Sequence, residues 1–244
     1  MFIDDKQTMY ITDWKNNRIV NATNGEIIVD GSQLNGPTDV LIDQENDSLI
    51  VADCGNRRVL RLSRENNTDG EIIISDIDCR GLAMDKDGSL YVSDYAKNEV
   101  RRWRKGEKGE GTIVASDQLY WPTYIFVDDD YSLYVSDHLN HRVMKWVKDA
   151  KEGIVVAGGH RKGKSLRQLS SPQGVIVDRL GQIYVADWGN HRVMRWSQGA
   201  TEGTIIVGGN TVLEPRLNVN SPDDDTDTSW HNLYGLLPEI EYGF

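Results

Sequence analysis

Asp187-Trp-Gly-Asn-His-Arg-Val193 is where the chain shows its architecture. It follows Ile183-Tyr-Val-Ala186 directly, a run of β-branched and aromatic residues with the alternation of a half-buried strand. The same strand-plus-aspartate unit recurs as Met9-Tyr-Ile-Thr-Asp13, Leu49-Ile-Val-Ala-Asp53, Leu90-Tyr-Val-Ser-Asp94 and Leu133-Tyr-Val-Ser-Asp137. The closing aspartates are 40, 41, 43 and 50 residues apart. A strand-rich repeat of that length matches one four-stranded blade of a β-propeller.

The remainder of each unit repeats too. Three residues past the aspartate stands Asn16, Asn56, Lys97, Asn140 or Asn190; five past it stands Arg18, Arg58, Glu99, Arg142 or Arg192. A short polar turn therefore leads into a second strand, as in Arg142-Val-Met-Lys-Trp146. A third apolar run follows, such as Thr204-Ile-Ile-Val207, and then a loop and the strand that opens the next unit, such as Thr38-Asp-Val-Leu-Ile-Asp43. Each blade thus reads as a meander of strands a, b, c and d, with b–c turns and d–a loops on one face and a–b turns on the other.

The Asp-x-x-Asn-x-Arg-Val turn after a Leu-Tyr-Val strand resembles the NHL-repeat family of β-propellers. The resemblance covers residues 1–209 in five copies, the copy at 187–193 being a close one. It implies an all-β propeller of five recognisable four-stranded blades. Such propellers commonly have about six blades, within a range of four to eight, so the array reads as an incomplete ring. Residues 210–244 read as a divergent acidic tail or an aborted sixth repeat: Leu217 to Pro222 mimics Leu169 to Pro172, and Trp230 to Phe244 holds no further Asp-x-x-Asn-x-Arg copy. On this reading the chain is a fragment or section of a longer protein, with open strand edges at blades 1 and 5.

Charge and composition narrow the function classes. The 244 residues carry a net charge of −11, with 39% hydrophobic and 27% charged residues, a globular composition. Residues 210–244 contribute seven acids and one base. An acidic chain repels nucleic acid at long range, which disfavours nucleic-acid partners. No apolar run reaches membrane-spanning length, and Met1 leads into a strand-like segment rather than a secretory leader. Sequons at Asn21, Asn46 and Asn66 are weak pointers to compartment.

The recurring Asp13, Arg18, Asp53, Arg58, Asp94, Asp137, Arg142, Asp187 and Arg192 read as structural, because an active site needs unique residues and these repeat in every blade. Carboxylate and guanidinium face each other across one turn and can share turn N–H groups. The blade 3 turn, with Glu99 and Lys97, should be less well tied. Trp103, Trp146 and Trp196 read as packing between blades. Cys54 and Cys79 fall on one face of adjacent blades; they are either a bridge, which would favour an extracellular compartment, or two coincidentally placed thiols. Four histidines, His138, His141, His160 and His191, share one face of blades 4 and 5. They are candidate metal ligands, although a middle-of-turn position also suits an exposed polar residue. No cofactor is expected.

The resulting expectation is a non-catalytic binding or scaffold module that presents its b–c/d–a face to a protein or other ligand. The binding candidates are Trp14, Tyr95, His138 and Trp188, each just past a repeat aspartate, with His160, Arg161, Lys162 and Lys164 on the overhanging loop. The alternative implied by the resemblance is a metal-dependent propeller enzyme of the amidating-lyase or lactonase-like type.

Overall fold

A computed structural model describes residues 2–4, 7–64 and 70–209. The reading of 210–244 as a tail or aborted repeat, and the sequon at Asn66, lie outside the described residues.

The described chain is five four-stranded antiparallel sheets arranged as a propeller, each a simple meander. Blade 1 comprises β1 (Phe2–Ile3), β2 (Met9–Asp13), β3 (Arg18–Asn21) and β4 (Ile27–Val29). Blade 2 comprises β5 (Pro37–Asp43), β6 (Ser48–Asp53), β7 (Arg58–Ser63) and β8 (Glu71–Ser75). Blade 3 comprises β9 (Cys79–Met84), β10 (Leu90–Asp94), β11 (Glu99–Trp103) and β12 (Thr112–Ala115). Blade 4 comprises β13 (Pro122–Val127), β14 (Leu133–Asp137), β15 (Arg142–Trp146) and β16 (Ile154–Gly158). Blade 5 comprises β17 (Val175–Val177), β18 (Ile183–Asp187), β19 (Arg192–Trp196) and β20 (Thr204–Gly208). Among the described residues, helix is confined to single 3-10 turns between strands b and c of blades 1, 2, 4 and 5.

Alternation places the core. Along strands b and c, one set of side chains packs against the preceding blade and the other against the next. Four apolar clusters result, one at each junction of successive blades. At the junction of blades 4 and 5, Tyr134, Val143 and Ala157 from one sheet meet Val175, Ile183, Val185, Met194 and Trp196 from the other. Trp103, Trp146 and Trp196 are 5%, 3% and 1% exposed and belong to three different junctions. Each ring lies on a glycine of the c–d hairpin; at Gly203 an added Cβ would come within 2.7 Å of the Trp196 ring. The tryptophans fill space between blades.

Successive a strands line the centre. Ser93 donates a hydrogen bond to the Thr123 carbonyl at 2.6 Å, joining blades 3 and 4, and Tyr124 OH reaches from blade 4 to the Thr38 carbonyl of blade 2 at 3.1 Å. Among the described residues, the first and last blades share no apolar cluster of this kind.

Candidate functional site

The aspartate that closes strand b has two tasks, one for each carboxylate oxygen. Oδ2 takes the repeat arginine: Nε of Arg18, Arg58, Arg142 and Arg192 lies 2.8, 2.7, 2.7 and 2.7 Å from Oδ2 of Asp13, Asp53, Asp137 and Asp187. The turn asparagine folds back to the same carboxylate, as Asn190 Nδ2 does at 2.7 Å. Oδ1 holds the d–a loop that arrives from the previous blade. It accepts the N–H of Asn35 at Asp53, of Tyr120 at Asp137 and of Ser170 at Asp187, at 2.7, 2.7 and 2.6 Å. The arginine fork then binds that loop's carbonyls. Arg192 reaches Lys164, Ser165 and Gln168, and Arg142 reaches Gln118.

The preceding blade grips the same loop from the other side. The residue before each repeat arginine or glutamate is left-handed: Asn17, Arg57, Asn98, His141 and His191 have φ of 56°, 52°, 57°, 56° and 51°. Asn tolerates this region best among residues with a Cβ. Its side chain accepts the next N–H of the loop: Gly36 to Asn17 Oδ1 at 2.7 Å, Trp121 to Asn98 Oδ1 at 2.8 Å, and Ser171 to His141 Nδ1 at 3.1 Å. Arg57 does the same task with charge, at 3.0 Å from Asp78. The repeat motif is therefore a clasp between blades: the loops between blades 1 and 2, 3 and 4, and 4 and 5 are each pinned by the turn behind and the aspartate ahead, whereas Asp94 in blade 3 spends Oδ1 on its own turn.

Blade 3 lacks the guanidinium. Glu99 pairs with Arg101 on its own strand at 2.6 Å, and in place of a guanidinium Asp94 has the Lys97 ammonium at 3.9 Å, its Oδ1 accepting the N–H groups of Ala96 and Lys97 at 3.1 and 2.9 Å. Asp94 is fully buried and its Oδ2 has no hydrogen-bond partner among the described residues. Burial pushes its carboxyl above the ordinary value; the Lys97 N–H and ammonium oppose this, and Asp78 and Glu99 add to it.

The candidate metal ligands are distributed among other tasks. His138 Nδ1 lies 3.1 Å from the Pro172 carbonyl, and His141 Nδ1 is spent on the clasp. Burial holds both imidazoles below the ordinary value; Arg80 adds to the effect at His138 and Lys162 at His141. Among the described residues no three His, Cys, Asp or Glu side chains converge as a metal site. Cys54 and Cys79 are free thiols in the same junction cluster, between blades 2 and 3. Cys79 begins β9, and its Sγ donates to the Arg58 carbonyl at 3.3 Å. Burial pushes both thiols up.

The residues just past the aspartates divide in two. Trp14 and Trp188 are 51% and 48% exposed on the b–c/d–a face. Cys54 turns into the junction cluster, and His138 is half-buried beside Trp188, with ring centroids 6.4 Å apart. His160, Arg161, Lys162 and Lys164 are exposed on the loop between blades 4 and 5. The a–b turns at the opposite end are closed by their own aspartates: Asp85, Asp128 and Asp178 each accept two turn N–H groups on Oδ1.

Two aromatics that the sequence reading passed over stand on the same face. Tyr120 is 53% exposed and Trp121 is 42% exposed, with Leu139 at 37% beside them. The Trp121 ring lies 4.8 Å from the half-buried Tyr95. Trp121 is also strained. The corresponding loop positions hold Gly36 and Ser171, at φ 54° and 52°; Trp121 has φ 59°. A bulky side chain in that region costs about 1–3 kcal/mol. The available signal was the alignment of Leu34-Asn-Gly-Pro37, Leu119-Tyr-Trp-Pro122 and Leu169-Ser-Ser-Pro172, which puts a tryptophan where glycine fits. A polar groove of about 550 Å³ lies further round the same face, bounded by Gln33, Asn35, Asn56, Arg57, Ile72 and Asp76.

The profile of the NHL repeat matches residues 169–195, the clasp loop and turn of blade 5. Curated protein sequences give no match. Solved structures share the fold at low identity. A chain from a nidogen/laminin complex superposes with a TM-score of 0.67 at 19% identity, covering 80% of this chain and 73% of that one. The virginiamycin B lyase of Staphylococcus aureus gives 0.59 at 14%, covering 84% and 67%. An auxiliary nutrient binding protein of Bacteroides thetaiotaomicron gives 0.68 at 16%, covering 84% of this chain and 55% of that one, so this chain spans about half the length of that protein. Such propellers include both enzymes and binding proteins, and no helix among the described residues is long and apolar enough to cross a membrane. The five-bladed meander makes the chain a β-propeller, and its blade 5 carries a match to the NHL repeat.

Proposed function

We propose that the protein is a non-catalytic binding module whose b–c/d–a face docks a protein partner. The observation that carries this reading is Trp121. It occupies a strained left-handed position that glycine would fill at no cost, and in doing so it holds a large ring at the surface, against Tyr95 and beside Tyr120 and Leu139. Strain of that size persists where the surrounding structure and a function sustain it. Rigid aromatic rings with few rotatable bonds supply most of the energy of protein recognition. Trp14 and Trp188 extend the aromatic surface to blades 1 and 5, and Arg161, Lys162 and Lys164 give it a basic rim. The recurring charged residues are spent on the clasps, which leaves these side chains as the variable part of the face.

The test is single substitution of Trp121, Tyr95, Trp14 and Trp188 by alanine, with folding checked by circular dichroism and affinity measured for the isolated partner. Hot-spot anchors cost 2 kcal/mol or more, about 30-fold in Kd. Trp121→Ala should meet that mark, and Trp121→Gly should meet it while raising stability through relief of strain. Unchanged affinity in all four variants, with loss on substitution in the a–b turns, would place the interface on the wrong face.

A further inference from the structure

The second residue of strand a has one task in blades 2 and 4. It is a threonine whose hydroxyl reaches carbonyls at the start of the following blade. Thr38 Oγ1 lies 3.5 Å from the Cys79 carbonyl, and Thr123 Oγ1 lies 3.4 and 3.3 Å from those of Pro172 and Gln173. Blade 3 departs from this. Its seam with blade 4 is closed from strand b, by Ser93 on the Thr123 carbonyl, and at Gly81, where an added Cβ would come within 2.7 Å of the blade 4 backbone. The second residue of its strand a is Arg80, a long cation where its counterparts are short hydroxyls.

Arg80 has no carboxylate to answer its charge. Among the described residues it is in no ion pair, and its Nε is shut off from solvent without a hydrogen-bond partner. The acids of the neighbouring turns are committed elsewhere: Asp53 to Arg58, Asp78 to Arg57 and Asp137 to Arg142. A half-buried guanidinium in this condition has lost hydration without gaining a counter-charge.

Three blades converge on it. Cys79 pairs with Asp94 at the end of strand b, so Arg80 stands one step in from the b–c/d–a face. Its charge acts on Cys54, Tyr95 and His138, the residues just past the repeat aspartates of blades 2, 3 and 4. Tyr95 carries Trp121 at 4.8 Å between ring centroids, and His138 carries Trp188 at 6.4 Å. The unpaired cation therefore lies beside both aromatic pairs of the exposed face.

We propose that Arg80 anchors a carboxylate-binding site at the centre of the b–c/d–a face, and that its occupant is an Asp or Glu side chain of the docked protein. This rests on the docking reading of that face and gives the partner a chemistry. The guanidinium fork matches a carboxylate with two parallel N–H donors. Surrounding aromatic rings exclude water from such a pair. Arg161, Lys162 and Lys164 at the rim steer the same acidic surface inward.

The test has two arms, both on the full chain. In the first, acetate is titrated at constant ionic strength and the arginine Nε–Hε signals are followed by NMR, with acetamide as the neutral control. The clasped Arg58, Arg142 and Arg192 are internal references, and Arg80→Gln assigns the Arg80 signal. A saturable shift at Arg80 with acetate and none with acetamide is expected. Trp121→Gly and Trp188→Ala should leave it in place. No saturable shift at Arg80 in the unaltered chain overturns the proposal. In the second arm, peptides are selected by display on the immobilised protein. The expected peptides carry Asp or Glu, weaken at least tenfold on Arg80→Gln and at least tenfold when their acid is changed to its amide. Peptides that need Trp121 but no acid, and bind Arg80→Gln equally well, overturn the proposal and leave the aromatic docking face standing; with acetate still bound at Arg80, they make a free carboxylate the occupant. Acid-dependent peptides indifferent to Trp121→Gly support the Arg80 site and count against the aromatic reading.

Discussion

Replacement of Asp187 by alanine removes a clasp at its most buried point, and the same change at Asp13 removes it at its most exposed. The Asp187–Arg192 pair is 0% and 4% exposed, and Arg192 spends its remaining N–H groups on three carbonyls of the loop between blades 4 and 5. Without Asp187 the guanidinium stays buried with no counter-charge, the Ser170 N–H loses its acceptor and Asn190 loses its anchor. Removal of one partner from a buried pair costs about 3–5 kcal/mol, a large fraction of the 5–15 kcal/mol that holds a typical domain. The Asp13–Arg18 pair is 25% and 37% exposed, and no loop N–H is bound to its Oδ1 among the described residues. Exposed pairs are worth about 0.2–1 kcal/mol. Urea unfolding followed by circular dichroism and by tryptophan fluorescence should give Asp187→Ala a far lower midpoint than Asp13→Ala. Agreement of the two probes establishes two-state behaviour. Asp187→Ala with Arg192→Ala should cost less than the sum of the singles, since the double variant buries no orphan charge. Equal losses for Asp187→Ala and Asp13→Ala, within about 0.5 kcal/mol, would show that the motif does not act through the burial of its loop contacts.

Four further outcomes follow from particular contacts. Asp94→Asn should stabilise at pH 7: the folded carboxyl titrates above its ordinary value, so its favourable contribution is complete below that value and is lost as pH rises through the folded one; the gain should vanish in acid, and a gain independent of pH refutes this account of blade 3. His141 has the opposite sign, its folded imidazole being harder to protonate, so the clasp it makes is intact above the ordinary histidine value of 6.5 and weakens as pH falls below it; His141→Asn, the residue blades 1 and 3 use, should flatten unfolding midpoints between pH 5 and 7 by about one clasp hydrogen bond. Gly203→Ala should cost about 1–3 kcal/mol through overpacking against Trp196, whereas Gly199→Ala meets nothing within 4 Å and is penalised only for its φ of 73°; equal losses would deny the ring contact. Oxidation of the purified protein should join Cys54 to Cys79, read as a single intramolecular disulfide by peptide mass mapping; two alkylatable thiols after oxidation would leave them coincidental neighbours.

The propeller was legible in the sequence because its strongest constraint is periodic: an aspartate at the end of each strand b, an arginine across the turn and alternating apolar residues between them. Trp103, Trp146 and Trp196 were legible as packing for the same reason, since each stands at the same step of its blade. The second half of the clasp was not legible. The residue before the arginine varies among Asn, Arg and His because what matters there is a left-handed backbone and an acceptor or charge, which different side chains supply. Tyr120 and Trp121 carry no repeat signal, whereas the residues next to the repeat aspartates do, and three of those five, Cys54, Tyr95 and His138, are partly buried. A loop tip carries little periodic signal, and its strain is visible only once φ is known.

The central claim is that the repeat motif is consumed in holding the blades together, which leaves the b–c/d–a face for recognition. A photo-crosslinking amino acid at position 139, beside Trp121, and another at position 130, on an a–b turn, compare the two faces in one extract of the native cells. A discrete adduct from position 139 that disappears with Trp121→Ala, and none from position 130, is the predicted result; an adduct from position 130 alone would contradict the account.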